Sequence, residues 1–537
     1  MTATEAPFSG RHVVICNWRD STHPQAGGAE LYCEEVARQL HDLGIRVTLL
    51  TSRTSGTPSR ENVDFGTIVR LGGTFGTYLR VLIWLLLHRT RIDAVIDSEN
   101  GIPYFSPLAL SSRTPVVLLI HHVHQEQFRL YFPPVAATVG RWLEKWMARW
   151  VYGRRPVCVV SPSARAEVRL QLAFRGPAFI APNGLTVSPV RERSLRSPDP
   201  RIVCVGRLVP HKRFELLIDA APRLLKRWPD LQVHIVGDGE TRPRLERQVR
   251  DQGLGDVFIF HGRVEQVERD RLIASAWLTV NPSAGEGWGL SVIEAAAHGV
   301  PAVAFHVPGL RDSVRDGSTG WLIDDGSEMA GTIEDALSTL ADARDATRWA
   351  RQCREWAGSF TWESTAERIL AVLVSEHERL TKRLGERRRH TDATTVVELP
   401  RAAVNARIVQ RLRRSDQIRM RDDGVELLLG GADEQDAQQA LERVGVPPGL
   451  VGRTRVARHY DLLGWTTQRH FRLPAGGLDV TIDEEPEVDD HGTIELEEPS
   501  GQVIELRPRL LRELDRDEPT PGAPRPPQAH PDTAEEG

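Results

Sequence analysis

In GEGWGLSVIEAAAHGVPAVAF, residues 285–305, Glu286 and Glu294 stand either side of a glycine-rich turn that leads into a run of good helix formers. A helix starting near Leu290 turns its unpaired N–H groups and its positive dipole end toward Gly287 and Gly289, a setting for an anion such as phosphate. Carboxylates repel phosphate. The two glutamates therefore either cap the helix, where an acidic residue contributes about 0.3–1 kcal/mol, or accept hydrogen bonds from hydroxyls flanking the phosphate. A ligand built as diol, diphosphate and polyol, such as a nucleotide sugar, would use both ends at once.

A second group of charges has the same reach. RIVCVGRLVPHKRFELLIDAA, residues 201–221, reads as a strand, a loop and a helix, with Arg207 and Lys212 in the loop. In a parallel sheet that loop opens on the carboxyl edge, where two fixed cations can neutralise a departing diphosphate without a metal ion. The plainer reading is solvated surface charge. PVVLLI ends at His121 and His122, followed by His124 and Glu126. One of these imidazoles could contact a reacting sugar, His121 first and His122 as the fallback. The alternatives are a zinc site, which no separate carboxylate or cysteine cluster supports, and a histidine that merely satisfies loop backbone. In RDSTHPQAGGAELY, Gly27 and Gly28 open a helix, but G-x-G-x-x-G is absent and a plain helix start is the competing reading. Glu99 and Asn100 end the strand DAVID and are expected to meet an acceptor.

These residues need a scaffold. Short apolar runs alternate with helix-period segments from His12 to about residue 378, which predicts parallel βαβ units. The predicted fold is α/β: two Rossmann-like parallel-sheet domains, residues 1–190 and 191–380, facing across a cleft. A linker over 381–397, a small α+β domain over 398–514 and a disordered proline-rich tail over 515–537 follow.

The motifs VGRLVPHKRFELLIDAAPRL, VGDGE, FHGRV and GEGWGLSVIEAAAHGVPAVAF resemble the donor domain of the retaining GT-B glycosyltransferases of family 4. HPQAGGAELYCEEVARQL and IAPNG resemble the family's first domain, so the likeness covers roughly residues 10–380. It implies that Arg207 and Lys212 hold the donor diphosphate, that Glu286 meets sugar hydroxyls and that Glu294 binds the ribose diol. By the same resemblance, Gly287, Gly289, Leu290 and Ser291 border the phosphates, and Gly206, Arg263 and Val264 lie near sugar or base. Gly27 and Gly28 would approach from across the cleft, and His121 would stand beside the reacting sugar. Trp288 departs from the family's usual residue and is expected beside the sugar.

The implied activity is transfer of a sugar, with retained configuration, from a nucleotide diphosphate sugar to a glycan, lipid or small-molecule hydroxyl. No cofactor and no metal are expected. A GT-B nucleotide-sugar isomerase or epimerase and a non-catalytic sugar-nucleotide sensor are the alternatives. The chain has 537 residues, is 40% hydrophobic and 26% charged, and carries a net charge of −5, without the positive field of a nucleic-acid binder. Five cysteines without a CxxC pair, and no signal-like start, lead to a cytoplasmic expectation. RWLEKWMARWVYGRR spaces Trp142, Trp146 and Trp150 four apart among basic residues, which reads either as a peripheral membrane face or as a core stripe.

Overall fold

The computed structural model describes residues 8–73, 76–174, 176–186, 196–324, 326–381 and 395–404, with separate elements between 408 and 506. The tail expected over 515–537 and most of the linker lie outside the described residues.

The first sheet is built from β1 (His12–Cys16), β2 (Arg46–Thr51), β3 (Arg60–Val63), β4 (Gly66–Arg70), β5 (Ala94–Glu99), β6 (Val116–Ile120), β7 (Val157–Val159) and β8 (Ala178–Ile180). Their order is β3-β4-β2-β1-β5-β6-β7-β8, parallel except for β3 against β4. Runs such as VVLLI are buried at every position, as a sheet covered by helices on both faces requires. Going along the sheet, chain order reverses between β1 and β5, the position where doubly wound sheets open a crevice at their carboxyl edge. The Asn100 amide, after β5, donates to Asn17 Oδ1, after β1, at 2.6 Å and ties the two loops together. Buried Asp97 accepts from the Tyr104 and Ser106 amides and the Tyr152 hydroxyl, fixing the chain beyond β5.

The second block repeats the design with β9 (Arg201–Val205), β10 (Gln232–Val236), β11 (Phe258–Gly262), β12 (Thr279–Asn281), β13 (Ala302–Phe305) and β14 (Gly320–Ile323). They form two three-stranded parallel sheets, β11-β10-β9 and β12-β13-β14. A bridge between Ile202 and Leu278, with Thr279 Oγ1 donating to the Val203 carbonyl at 2.7 Å, joins β9 to β12 edge to edge. Here too the order reverses at the join, so the loops after β9 and β12 face one crevice.

The helix Trp362–Thr381 returns to the first sheet. Trp362 Nε1 donates to Thr186 Oγ1 at 2.9 Å, and Thr365 Oγ1 donates to the Pro182 carbonyl at 2.6 Å. By its contacts the chain forms two compact units, one built on Met1–Thr395, holding both α/β blocks, and one that includes Val396–Leu429 and Gln439–Thr454. From Thr395 onward the described elements include β15 (Thr395–Leu399), β16 (Gln417–Met420), β17 (Val425–Leu429) and β18 (Thr454–Val456), in the order β16-β17-β15-β18, and the helix Glu434–Val444.

Candidate active site

One side of the candidate site is set by the two loops at the second switch point. Gly289 takes φ +84°, and a side chain there would bring its Cβ to 2.7 Å from Ser313 Oγ, so glycine is the residue that fits. This turn launches the helix Leu290–Ala297. The N–H groups of Leu290 and Ser291 fall in its unpaired first turn and point at the crevice. Ser291 Oγ accepts from Asn281 Nδ2 at 3.3 Å, which holds its hydroxyl beside the helix start.

Lys212 Nζ is in contact with Glu286 Oε1, and Ser283 Oγ donates to the same oxygen at 2.8 Å. Burial alone would raise the Glu286 pKa, but the Lys212 ammonium outweighs it and holds the carboxyl below its ordinary value. The sequence placed Lys212 against phosphate and Glu286 against sugar; the structure adds that the two pair with each other. A lysine ammonium has three donors, so this pairing still leaves capacity for a phosphate oxygen. Arg207 is exposed in the same loop, its carbonyl accepting from the Val209 amide at 3.0 Å.

Glu294 lies one turn inside the helix and is 7% exposed. Burial raises its pKa, opposed by Arg269, whose Nη2 lies 3.1 Å from Oε1. That ion pair leaves further lone pairs for a diol. Arg269 comes from the helix Gln266–Ser275 and had no signal of its own in the sequence. Gly206 lies close to Lys212, since a Cβ on it would be 4.0 Å from Lys212 Cε. Arg263 is exposed after β11, whereas Val264 packs on the apolar cluster around Val203, Val236 and Ile273.

From the first block, the helix Gly28–Asp42 points its start at the same place: a Cβ on Gly28 would lie 3.7 Å from Leu290 Cδ2. The Gly27 N–H is taken by Glu30 Oε2 at 2.7 Å, so the amides left for a ligand begin with Gly28. Arg19, in the loop after β1, lies within electrostatic reach of Arg207 and brings a cation from the opposite block. Its position at the head of RDSTHPQAGG was the available signal.

His121 follows β6. Its Nε2 is 3.1 Å from Ser98 Oγ, and its ring meets Tyr32 edge to face with centroids 5.1 Å apart. Burial pushes its pKa down to about 3, so the imidazole is neutral at physiological pH. A Cβ on Gly287 would overlap the His121 carbonyl oxygen, so only glycine lets the donor loop come this close. His122, also held near 3 by burial and next by His124, is the imidazole that feels Glu286, His211 and Lys212, and its buried Nδ1 has no hydrogen-bond partner among the described residues. His122 and His124 meet edge to face with centroids 5.4 Å apart, while His121 turns to Ser98. Among the described residues no group of three or more His, Cys, Asp or Glu side chains is arranged to hold a metal ion.

Two expectations are corrected. Glu99 is fully buried, with both carboxyl oxygens unpartnered among the described residues and its pKa raised well above the ordinary value, by burial first and by Glu144 and Asp97 next. It faces the block interior and cannot meet an acceptor; Asn100, beside it, stays at the crevice. Trp288 is 5% exposed and packs edge to face on Phe360, 4.9 Å between centroids, so it belongs to the apolar core rather than to the sugar pocket.

The model of the glycosyl transferases group 1 matches residues 190–356, and that of Glycosyltransferase Family 4 matches residues 26–189. A D-inositol 3-phosphate glycosyltransferase of Paenarthrobacter aurescens is 35% identical over 376 residues, 64% of this chain and 91% of that relative. A GDP-mannose-dependent alpha-(1-6)-phosphatidylinositol monomannoside mannosyltransferase of Mycolicibacterium smegmatis is 33% identical over 211 residues, 37% of this chain, and the matched part spans about half of that relative, 54%. The fold is also that of sucrose-phosphate synthase from Thermosynechococcus elongatus, with a TM-score of 0.57 and 22% identity over 66% of this chain and 96% of that one.

Proposed function

The chain belongs to the glycosyltransferases of group 1 and family 4, and on that premise we propose that it is a retaining enzyme. It moves a hexose from a nucleotide diphosphate sugar to an acceptor hydroxyl without a metal ion. One observation carries this reading. Arg207, Lys212 and the start of the helix Leu290–Ala297 meet in one crevice, with carboxylates at Glu286 and Glu294 on either side. The cations and helix amides receive the diphosphate; Glu294 takes the ribose diol and Glu286 the sugar hydroxyls.

In the reaction, the bond from the anomeric carbon to the diphosphate oxygen breaks, and a bond to the acceptor oxygen forms on the same face. The acceptor proton passes to the departing phosphate. Charge grows on that phosphate as the bond breaks, where fixed cations and helix amides act most strongly. Neutral His121 presents a hydrogen-bonding ring to the sugar without adding a competing cation, and His122 stands beside the Lys212–Glu286 pair. The names of two relatives favour a donor such as GDP-mannose and an inositol-bearing acceptor. Operation in the cytoplasm, with peripheral contact at the inner face of the plasma membrane, belongs to the same proposal.

An isomerase would interconvert nucleotide sugars without an acceptor, and a sensor would bind without turnover. Proton NMR of the product made from an α-linked donor tests the stereochemical part: an α-linked product is expected, and a β-linked one would overturn retention.

A further inference from the structure

We propose that the first block seats on an anionic phospholipid bilayer through a face made of three neighbouring elements. This depends on the transferase reading only for its place in the cell. The helical stretch from Pro134 to Tyr152 carries Val135, Val139, Trp142, Trp146 and Trp150, exposed by 79, 52, 52, 54 and 72%. The tryptophan spacing of four overshoots a turn of 3.6 residues. A π-helical turn over Leu143–Met147 absorbs the difference, and all three indoles stay at the surface. The core-stripe reading of these tryptophans is thereby excluded.

The helix Gly76–His88 leaves Leu79, Ile83 and Leu87 exposed by 65, 47 and 74%. Both this helix and the helical segment Ala148–Tyr152 pack against the turn Ser106–Ala109, whose Leu108 is 53% exposed. Apolar side chains therefore emerge from three adjoining elements. Large apolar side chains left exposed on adjoining elements mark an interaction site.

Charge decides the partner. Between Pro134 and Arg155 there are five basic residues and one acidic residue in a chain of net charge −5. The acidic one, Glu144, is fully buried and accepts hydrogen bonds from the His124 amide and Gln125 Nε2, both at 2.5 Å. Lys145 and Arg149 lie over the Trp146 ring, each 5.8 Å from its centroid. Interfacial tryptophans interleaved with cations match lipid headgroups of negative charge, the apolar rings entering the acyl boundary and the cations meeting phosphate. No described helix is long and apolar enough to cross a membrane, so the contact is with one surface. The stripe also starts beside the cleft, since Tyr131 Oη lies 3.3 Å from His211 Nδ1.

The test is co-sedimentation of the full chain with vesicles of phosphatidylcholine alone or mixed with phosphatidylglycerol. Binding to the mixed vesicles, weak binding to the neutral ones and loss at high salt are expected. Lys145→Glu with Arg149→Glu, and separately Trp146→Ser with Trp150→Ser, should each lower partitioning at least about ten-fold. Donor turnover in solution should be unchanged. Absence of wild-type binding, equal binding of the variants, or a dimer that the Trp146→Ser, Trp150→Ser variant dissociates would overturn the proposal. Vesicle binding without donor turnover would instead remove the transferase reading and leave this one standing.

Discussion

At the scale of single residues, the two charged pairs have separable roles. Lys212 holds Glu286 ionised, and in the proposed reaction it also neutralises the departing phosphate, so Lys212→Ala should lower kcat by about 10²–10³-fold, as loss of a transition-state donor does. An unchanged kcat in steady-state assays would refute its role. Glu294, in the proposed reading, binds a part of the donor that does not react. Glu294→Gln keeps the size, loses the charge held by Arg269, and should raise donor KM about ten- to a hundred-fold with kcat nearly unaffected. Arg207, Lys212 and Glu286 could be put on loops at strand ends, and Glu294 in the helix that follows, from the alternation of apolar runs and glycine-rich turns, while their expected roles came from the family resemblance. The Lys212–Glu286 and Glu294–Arg269 pairings were not legible in the sequence, because partners so far apart in sequence meet only after the sheet has assembled.

At the scale of elements, each crevice is built from strand ends and helix starts, and the turns carry the strictest demands. Gly289→Ala puts a Cβ at φ +84° against Ser313, which should cost about 1–2 kcal/mol in a denaturant melt and weaken donor binding by displacing the Leu290 and Ser291 amides. Trp288→Ala should behave differently. Removing a core indole costs about 3–5 kcal/mol of stability, while donor KM in the folded fraction stays close to wild type. A large KM change with unaltered stability would return Trp288 to the sugar pocket. The direction of Trp288 was not readable because it lies in a turn with no hydrophobic period, and its side is chosen by Phe360. The apolar runs alternating with helical segments, in contrast, announced the parallel sheets, since VVLLI, buried throughout, and RIVCV, buried at its three central positions, leave few other arrangements.

At the scale of the molecule, the cleft buries imidazoles that an unfolded chain would expose. His121 and His122 are pushed down to about 3 from 6.5, and His211 to about 4, by burial first. Below pH 6.5 the unfolded chain takes up protons that the folded chain refuses, so these groups contribute full stability above 6.5 and progressively less as pH falls toward 4. Each of His121 and His122 contributes a slope of up to about 1.4 kcal/mol per pH unit. The thermal midpoint should therefore fall through this range, and His122→Gln should flatten the fall. Glu286, whose pKa is lowered from 4.5, stabilises above that value and loses its contribution only at still lower pH. Two blocks around one cleft were legible from length and repeated grammar; the return of the helix Trp362–Thr381 to the first sheet was not, because nothing in its period names the surface it covers. The central claim is that the cleft binds and breaks a nucleotide diphosphate sugar. Release of nucleoside diphosphate from a panel of GDP-, UDP- and ADP-sugars, with Lys212→Ala and Glu294→Ala beside the wild type, tests it most directly. With donor held below the wild-type KM, turnover of at least one donor, severely reduced in both variants, is predicted; no turnover of any donor, or equal turnover by all three proteins, would contradict the account.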